Sequence, residues 1–335
     1  MQTLKGGGQR SFAVSRNKFD PPILSSYAVG VNTMDDRLKP LLNQGEGAVL
    51  DIAGVVCDAT GTRAFAKVRI ADAVHIESSG ISNDLYRYAL SAHFDVLISK
   101  DNKAFLAIEF DGDGHDPKND SKKAALCDRF GVPMVRVKQN HLDTKLFEDT
   151  AVAFFIWQLF CVDAFLDEYG SDPYEPYDPA WFVSVAGKGR NWPFAYADRW
   201  IGRLKRPFME SLGKFDATVR GFYEHGLLQF GTIICTYHKG LEYRSIHAQL
   251  VGTDSAVSGE AQLGLEVCGL DGRRLELFGE IASFVEGIAA EQMYRRGMAF
   301  LEGIAKIVSP EDLRSRVKEW ETQGFTLRRA FNFRI

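Results

Sequence analysis

The sequence predicts an α/β domain followed by an α+β domain, and three observations support this division. Helical and strand periodicities alternate between residues 45 and 138, in the order helix, strand, hairpin, helix, strand. Strand-like segments followed by a long helix occupy residues 232–307. A proline-rich segment at 171–181, SDPYEPYDPAW, is typical of a linker. We therefore divide the chain into an N-terminal arm (1–44), an α/β domain (45–148), a connecting helix (149–170) and a C-terminal α+β domain (171–335).

Length and composition are those of a folded globular protein. The 335 residues suffice for two domains, and 45% hydrophobic with 25% charged residues excludes wholesale disorder. The formal net charge of -4 excludes a basic coat over the whole surface, but it leaves room for a local basic patch.

The cysteines and the apolar segments predict a soluble cytoplasmic protein without a membrane partner. Five scattered cysteines with no CxxC pair argue against a disulfide framework and against a cysteine-rich zinc site. The most apolar run, residues 151–162, contains Gln158 and is shorter than the ~20 residues that a membrane span needs.

The first helix and strand of the α/β domain follow from their spacing. Apolar residues from Val49 to Val56 recur at helical intervals after Gly45, and residues 64–74 alternate as a strand does. Residues 83–92 fit either a short helix or a loop.

The next segments predict a hairpin, a helix and a further strand. Residues 94–100 and 103–111 are apolar strands joined by a tight turn around Asp101 and Asn102. A polar glycine-rich loop follows, and then a helix over 121–131 that ends at Gly131. Residues 132–138 form the last strand of this domain.

The C-terminal part begins with an apolar helix from Thr150 to Tyr169. A meander of strands is predicted beyond the linker, and a long helix and a final helix follow it. The final helix begins after Ser309 as N-cap, with proline at its first position. The predicted strands are 232–238, 243–251, 261–270 and 273–281, and the long helix is 283–307.

Acidic residues gather where the hairpin strands end. Glu109 and Asp111 are two positions apart and therefore share a face of their strand. With a three-residue turn (101–103), Asp95 lies directly opposite Glu109. A divalent cation would relieve the repulsion between such carboxylates, and Mg²⁺ favours this ligand type. The alternative interpretation is that these acids are solvated edge charges.

The same residues carry a family resemblance. The segments FDVLI (94–98), LAIEFDGDGH (106–115), DSKK (120–123) and GVPMVRV (131–137) resemble the PD-(D/E)XK nuclease-like superfamily, in its bacterial branch with the pattern IExDGxxH…DxxK…GxPxxR. The resemblance covers about residues 64–138, or 46–138 with the first helix. It implies an α/β fold with a restriction-endonuclease-like core, which is a mixed sheet flanked by helices.

The resemblance also implies a metal centre. Asp95 matches the first acid of the superfamily and Glu109 the second, both as Mg²⁺ ligands, with Mn²⁺ as a possible substitute. The carbonyl of Phe110 is a further candidate ligand, and Glu46 corresponds to an accessory acid on the first helix.

Three further residues complete the implied catalytic set. Asp111 replaces the lysine of the usual E-x-K element, and Lys123 on the following helix corresponds to the lysine of branches that read E-x-D. His115 is either a general acid/base or a loop histidine bonded to a neighbouring acid.

Positive charge is concentrated between residues 186 and 220, where basic and aromatic residues alternate. This composition suits contacts with a nucleic-acid backbone and its bases. An amphipathic helix that buries its aromatic residues explains the same pattern. The candidate nucleic-acid-binding residues are Lys188, Arg190, Arg203, Lys205 and Arg206.

These observations together predict a Mg²⁺-dependent nuclease that cleaves DNA. The C-terminal domain would recognise the substrate or a partner protein, or would mediate homo-oligomerisation. One alternative is a catalytically inactive module of the same fold that binds nucleic acid or protein in a defence or repair assembly. Another is a structural protein whose acids bind a stabilising metal ion. His238 and His247 lie on adjacent predicted strands without a third ligand, and we expect them to be core or surface histidines.

Overall fold

Two β-sheets, each packed between helices, organise the part of the chain that the structure describes. The structure is a computed structural model, and the residues described are 40–112, 116–146, 149–170, 193–215, 232–252, 255–278 and 281–331. The predicted linker (171–181) and residues 1–39 of the predicted arm lie outside these ranges.

The first sheet is mixed, with strand order β1-β2-β3-β4-β10. Strands β1, β2 and β3 are antiparallel neighbours, β3 and β4 are parallel, and β10 is antiparallel to β4. The sheet therefore takes its last strand from the C-terminal half of the chain. The strands are β1 (Arg63–Arg69), β2 (His93–Lys100), β3 (Lys103–Phe110), β4 (Met134–Val137) and β10 (Glu266–Cys268).

Helices cover both faces of the first sheet. On one face, α1 (Gln44–Thr60) and α6 (Ala151–Tyr169) bury an apolar core against β2, β3 and β4. On the other face, α3 (Asn83–Ser91) and α4 (Pro117–Phe130) bury a second core. The predicted mixed α/β core flanked by helices is therefore present. The remaining short elements of this region are α2 (Ile70–Ala73), α5 (Gln139–Asp143), β5 (Lys145–Leu146) and β6 (Asp149–Thr150).

Helix ends follow the local capping signals. Asn43 and Glu46 form a capping box at the start of α1, and Asp116 caps α4 ahead of Pro117. Helix α4 ends at Gly131, whose φ of 63° suits glycine. The structure thus confirms the predicted stop at Gly131, while α4 begins earlier than residue 121 because its cap is Asp116.

The second sheet is antiparallel, with strand order β11-β7-β8-β9. Its strands are β7 (Thr232–Lys239), β8 (Glu242–Gly252), β9 (Ser255–Gly264) and β11 (Thr326–Phe331). The helices of this half are α7 (Pro193–Phe215), α8 (Gly272–Phe278), α9 (Ile281–Leu301) and α10 (Pro310–Thr322). Helix α9 packs on one face of the sheet, and α10 packs on the other. A β-carbon at Gly259 would lie 2.1 Å from the Ala289 carbonyl oxygen, so glycine permits the close approach of α9 to β9.

Three predicted strands are wrong in part. Residues 261–270, predicted as one strand, divide between the end of β9 and β10, which lie in different sheets. Residues 70–73, predicted as strand, form the helical turn α2, and Arg69 closes it with an ion pair to Asp72. Residues 273–278, also predicted as strand, form α8, because Asp271 accepts the N–H of Arg274 and caps a helix. In the two helical segments the alternation was too short to exclude a helical turn.

Helix α6 joins the cores of the two halves. Its apolar side chains belong to the same buried cluster as Phe284, Val285 and Ile288 of α9, and the Phe154 and Phe284 rings lie 4.3 Å apart. Among the helices of the described ranges, none is long and apolar enough to cross a membrane.

Candidate active site at the end of the hairpin

The register of the β2–β3 hairpin places Asp95 opposite Glu109. The turn has two residues, Asp101 and Asn102, both with positive φ, and not the three that the sequence analysis assumed. A bulge then inserts Phe105 as an extra residue, because Ser99 pairs with Ala104 while the next pair is Ile98 with Leu106. The bulge restores the one-residue offset, so the expected Asp95–Glu109 juxtaposition is present.

Glu109 is buried at the centre of the site. One carboxylate oxygen accepts the main-chain N–H of Asp95 at 3.2 Å, and the other accepts the ammonium group of Lys123. Lys123 Nζ also donates to the carbonyl of His93 at 2.9 Å. Helix α4 therefore delivers its lysine to the second acid of the site, across the face of the sheet.

Asp95 is held by a different lysine. Its Oδ2 accepts the Phe110 N–H at 3.0 Å, and its Oδ1 accepts Lys67 Nζ at 2.6 Å. Lys67 Nζ also lies 3.0 Å from Oε1 of Glu46, whose other oxygen accepts the Asn43 N–H at 3.1 Å. The accessory acid of α1 is thereby connected to Asp95 through one ammonium group.

The backbone at Lys67 is unusual for a strand. Lys67 has a φ of 52°, in the left-handed region that costs a non-glycine residue about 1–2 kcal/mol. Before this point Ala64 packs against the α1–α6 core, and after it Val68 packs against the α3–α4 core. The side chains of β1 therefore switch from the α1–α6 core to the α3–α4 core at Lys67, the residue opposite Asp95.

Burial dominates the electrostatics of Glu109. The pKa of Glu109 is raised to about 7. Loss of solvent is the largest cause, the nearby Asp95 adds to the increase, and Lys123 acts in the opposite direction. For Lys67, burial acts to lower the pKa but is outweighed by the hydrogen bonds to Asp95 and Glu46, so the net pKa is raised. Glu109 therefore titrates near neutral pH.

Asp111 belongs to a neighbouring ion-pair network. Both of its carboxylate oxygens accept the Arg136 guanidinium, at 2.9 and 2.7 Å, and Arg136 also lies 2.9 Å from Asp120 of α4. Arg136 is on β4 directly beside Glu109 in the parallel register. The geometry places Asp111 on a buried arginine next to the site, in an arrangement suited to anchoring α4.

Gly45 allows α1 to approach the end of β3. A β-carbon at Gly45 would lie 2.2 Å from the ring of Phe110, which is closer than any real contact. Because Gly45 precedes Glu46 and Phe110 follows Glu109, this packing sets the distance between the accessory acid and the hairpin acids. The Phe110 carbonyl accepts the Gly112 N–H at 3.2 Å.

The remaining candidate residues are separated from this cluster or lie outside the described ranges. His115, Lys188 and Arg190 are outside them. Arg203, Lys205 and Arg206 are exposed on α7, where Arg206 also pairs with Glu210 at 3.2 Å. On the same helix Phe208, Met209 and Leu212 are buried, so α7 has the amphipathic character of the second interpretation. His247 is buried on β8, and His238 is partly exposed on β7.

The three acids around the hairpin end have every carboxylate oxygen engaged by a donor. Asp95 uses Lys67 and a main-chain N–H, Glu109 uses Lys123 and a main-chain N–H, and Glu46 uses Lys67 and a main-chain N–H. Within the described ranges, no group of three or more His, Cys, Asp or Glu side chains is arranged to hold a metal ion. A cation placed between Asp95 Oδ1 and Glu46 Oε1 would have to displace the Lys67 ammonium group, which lies there.

Lys67 and Arg136 are the site residues that the sequence analysis missed. Lys67 is an ordinary member of an alternating strand, and its place opposite Asp95 depends on the β1–β2 register. Arg136 stands in the matched GVPMVRV segment, and its burial among apolar neighbours on β4 was the available signal.

The comparisons with known proteins bear on the same region. A family model described as a protein of unknown function (DUF2726) matches residues 38–151, about a third of the chain. This range runs from the start of α1 to the start of α6 and contains the whole acid–lysine cluster. A search of curated proteins gave no match. A search of solved structures gave none either.

Proposed function

We propose that this protein is a Mg²⁺-dependent nuclease that hydrolyses phosphodiester bonds in DNA, built on a restriction-endonuclease-like core. The observation that carries the proposal is that the Lys123 ammonium group and the Asp95 main-chain N–H both contact the Glu109 carboxylate, while the Asp95 carboxylate accepts the N–H of the next residue, Phe110. An active site of this type needs two acids and a lysine within a few ångströms of one cation position. A lysine on α4 pointing away from Glu109 would have weakened the proposal.

The oxygen ligands of this cluster suit Mg²⁺ once the ammonium group of a lysine is displaced. Asp95 and Glu109 would hold the ion, with the Phe110 carbonyl and Glu46 as further oxygen ligands, and hard oxygen donors are those that Mg²⁺ and Mn²⁺ prefer. Such an ion, when bound, lowers the pKa of water and neutralises charge on the phosphoryl oxygens.

The chain's own residues would orient the reacting groups. Lys123 holds Glu109 in place and supplies positive charge beside it, in the role of the lysine that the E-x-K element lacks. The two main-chain N–H groups that bind Asp95 and Glu109 fix the direction of both carboxylates. Arg136 ties Asp111 and Asp120 together and keeps α4, and therefore Lys123, against the sheet.

Substrate binding is assigned to the exposed basic side of α7 and to the neighbouring positive residues of 186–220. Arg203, Lys205 and Arg206 are exposed there, where each can contact a phosphate without any rearrangement of the core. The exposed edge strand β11 offers a surface for a partner protein or a second copy of the chain. A cytoplasmic location is part of the proposal, and the free thiols of the five cysteines support it.

A second function, binding without catalysis, is favoured by one observation. Every carboxylate oxygen of Asp95, Glu109 and Glu46 already has a hydrogen-bond or ion-pair donor, so each of these oxygens has a partner without a metal ion. A nuclease-fold module that binds nucleic acid or protein in a larger assembly does not require a metal ion at these acids.

One experiment separates the two functions. Double-stranded DNA, single-stranded DNA and RNA are incubated with the protein and Mg²⁺, Mn²⁺ or EDTA, and cleavage and binding are both measured. We expect metal-dependent cleavage of DNA that is lost in Asp95→Asn and Glu109→Gln but kept in Asp84→Asn, which alters an exposed acid paired with Lys122. Unchanged cleavage by either site variant would refute the nuclease proposal, and tight binding without cleavage would support the module.

A further inference from the structure

Lys67 occupies a position that a metal ion bound to the same acids would need. Its ammonium nitrogen lies 2.6 Å from Asp95 Oδ1 and 3.0 Å from Glu46 Oε1, and it therefore bridges β2 and α1 at this end of the sheet. A divalent cation coordinated by Asp95 Oδ1 would face this ammonium group at very short range. Two cations cannot share that space, because their repulsion is strong at such distances.

The two lysines of the cluster differ in how they can respond. Lys123 is 11% exposed and is held both by Glu109 and by the main-chain carbonyl of His93. Lys67 is 37% exposed and has a flexible four-carbon stem, and within the described ranges its ammonium group contacts only the carboxylates of Asp95 and Glu46. Lys67 can therefore turn outward into solvent, while Lys123 would leave a buried carboxylate and a carbonyl without their donor.

We propose that Lys67 is the ammonium group that a divalent cation displaces from Asp95 and Glu46, so that metal binding and the release of Lys67 are a single event. This inference rests on the proposed metal-dependent function. It makes Lys67 a positioning residue, which keeps the acids paired and correctly oriented until the metal arrives. It also predicts that metal affinity is set by competition with a residue of the protein itself.

The test measures Mn²⁺ affinity directly, by electron paramagnetic resonance of free Mn²⁺ in titrations of the full chain. Lys67→Met removes the competing charge, and we expect it to bind Mn²⁺ about tenfold more tightly than the unaltered protein. Lys67→Arg keeps a cation at this position and should not bind more tightly. Lys122→Met, which removes a lysine of α4 that pairs with the exposed Asp84 of α3 outside the acid cluster, is the control and should leave the affinity unchanged.

Folding of the variants is checked by circular dichroism, and a second neutral variant keeps the test decisive if Lys67→Met does not fold. Lys67→Gly also lacks the ammonium group, and glycine suits the φ of 52° at this position. Tighter Mn²⁺ binding is therefore expected from Lys67→Gly as well, even if Lys67→Met fails to fold.

A second readout follows Lys67 itself. The rate at which an amine-acetylating reagent modifies Lys67 is measured by mass spectrometry with and without Mn²⁺, and we expect it to rise several-fold with the metal because the ammonium group is released to solvent. An unchanged or lower acetylation rate would refute the exchange.

The failure of the inference and the failure of the nuclease proposal can be told apart. Equal or weaker Mn²⁺ binding by the neutral Lys67 variants, or no Mn²⁺ binding by any variant, would overturn the exchange. Tighter binding by those variants without DNA cleavage by the unaltered protein would support the exchange and overturn the nuclease activity.

Discussion

The ammonium group of Lys123 on α4 donates a hydrogen bond to the carboxylate of Glu109 on β3. Both side chains are nearly buried, with Lys123 11% and Glu109 7% exposed. Each charge has lost most of its solvent, so each depends on the other. Burial nevertheless raises the pKa of Glu109 to about 7, which gives the pair a proton-dependent state near neutral pH. The stability of this pair and the chemistry of the candidate site are therefore linked.

Lys123→Met should destabilise the protein in a pH-dependent way. Without Lys123 the pKa of Glu109 rises further, so at pH 8 the buried Glu109 must either carry an unpaired charge or bind a proton that the unfolded chain does not, and we expect a loss of about 3 kcal/mol in the free energy of unfolding. At pH 5 Glu109 would carry a proton and the loss should be smaller. Urea denaturation at both pH values tests this, and Lys122→Met, on the more exposed Asp84 pair, should cost less than about 1 kcal/mol. Equal losses in the two variants would contradict the prediction.

Gly45→Ala should disturb the start of α1. The new methyl group would meet the Phe110 ring at 2.2 Å, and over-packing of this kind costs about 1–3 kcal/mol. Gly47 provides the control on the same helix, because a β-carbon there meets no atom within 4 Å. Gly47→Ala should be neutral or stabilising by up to about 1 kcal/mol. Thermal unfolding of both variants compares them, and similar melting temperatures would show that Phe110 yields freely.

His247 should make the protein sensitive to acid. Burial lowers the pKa of His247 to about 4, and Arg329 lowers it further in the same direction. Because the folded pKa lies below the unfolded value of about 6.5, the neutral ring contributes stability above pH 6.5 that is lost as the pH falls through 4. The unfolding free energy of the unaltered protein should therefore fall by about 3 kcal/mol relative to His247→Gln between pH 6.5 and pH 4. Parallel curves for the two proteins would refute the assignment.

Neutralising the exposed basic residues of α7 should lower the affinity for DNA and should also reduce the dependence of that affinity on salt concentration. Each phosphate contact contributes about 0.9 to the slope of log affinity against log salt. The triple variant Arg203→Ala, Lys205→Ala, Arg206→Ala should reduce that slope by up to about 3 if all three contact phosphates. Fluorescence anisotropy across a salt series measures it. An unchanged slope would mean that α7 serves packing alone, through Phe208 and its buried neighbours.

Much of the fold could be predicted because the signals are local. The hairpin, the stop of α4 at Gly131 and the Ser309 cap of α10 each depend on a few adjacent residues. The Asp95–Glu109 pairing was predicted with the wrong turn length, and the bulge at Phe105 compensated for it. No local pattern predicts that bulge, and the bulged residue, Phe105, stacks its ring on Phe160 of α6 at 4.5 Å, a contact between residues far apart in the chain.

The sequence by itself determined the order of the elements and the two acids at the end of the hairpin, because periodicity, caps and turns act within a few residues. Only the tertiary structure decided which basic side chain pairs with each acid. Lys67 reaches Asp95 through strand pairing, Arg136 captures Asp111 through the parallel β3–β4 register, and β10 joins the first sheet from the other half of the chain. These contacts join residues far apart along the chain, where no local pattern specifies a partner and the balance of burial and charge selects it.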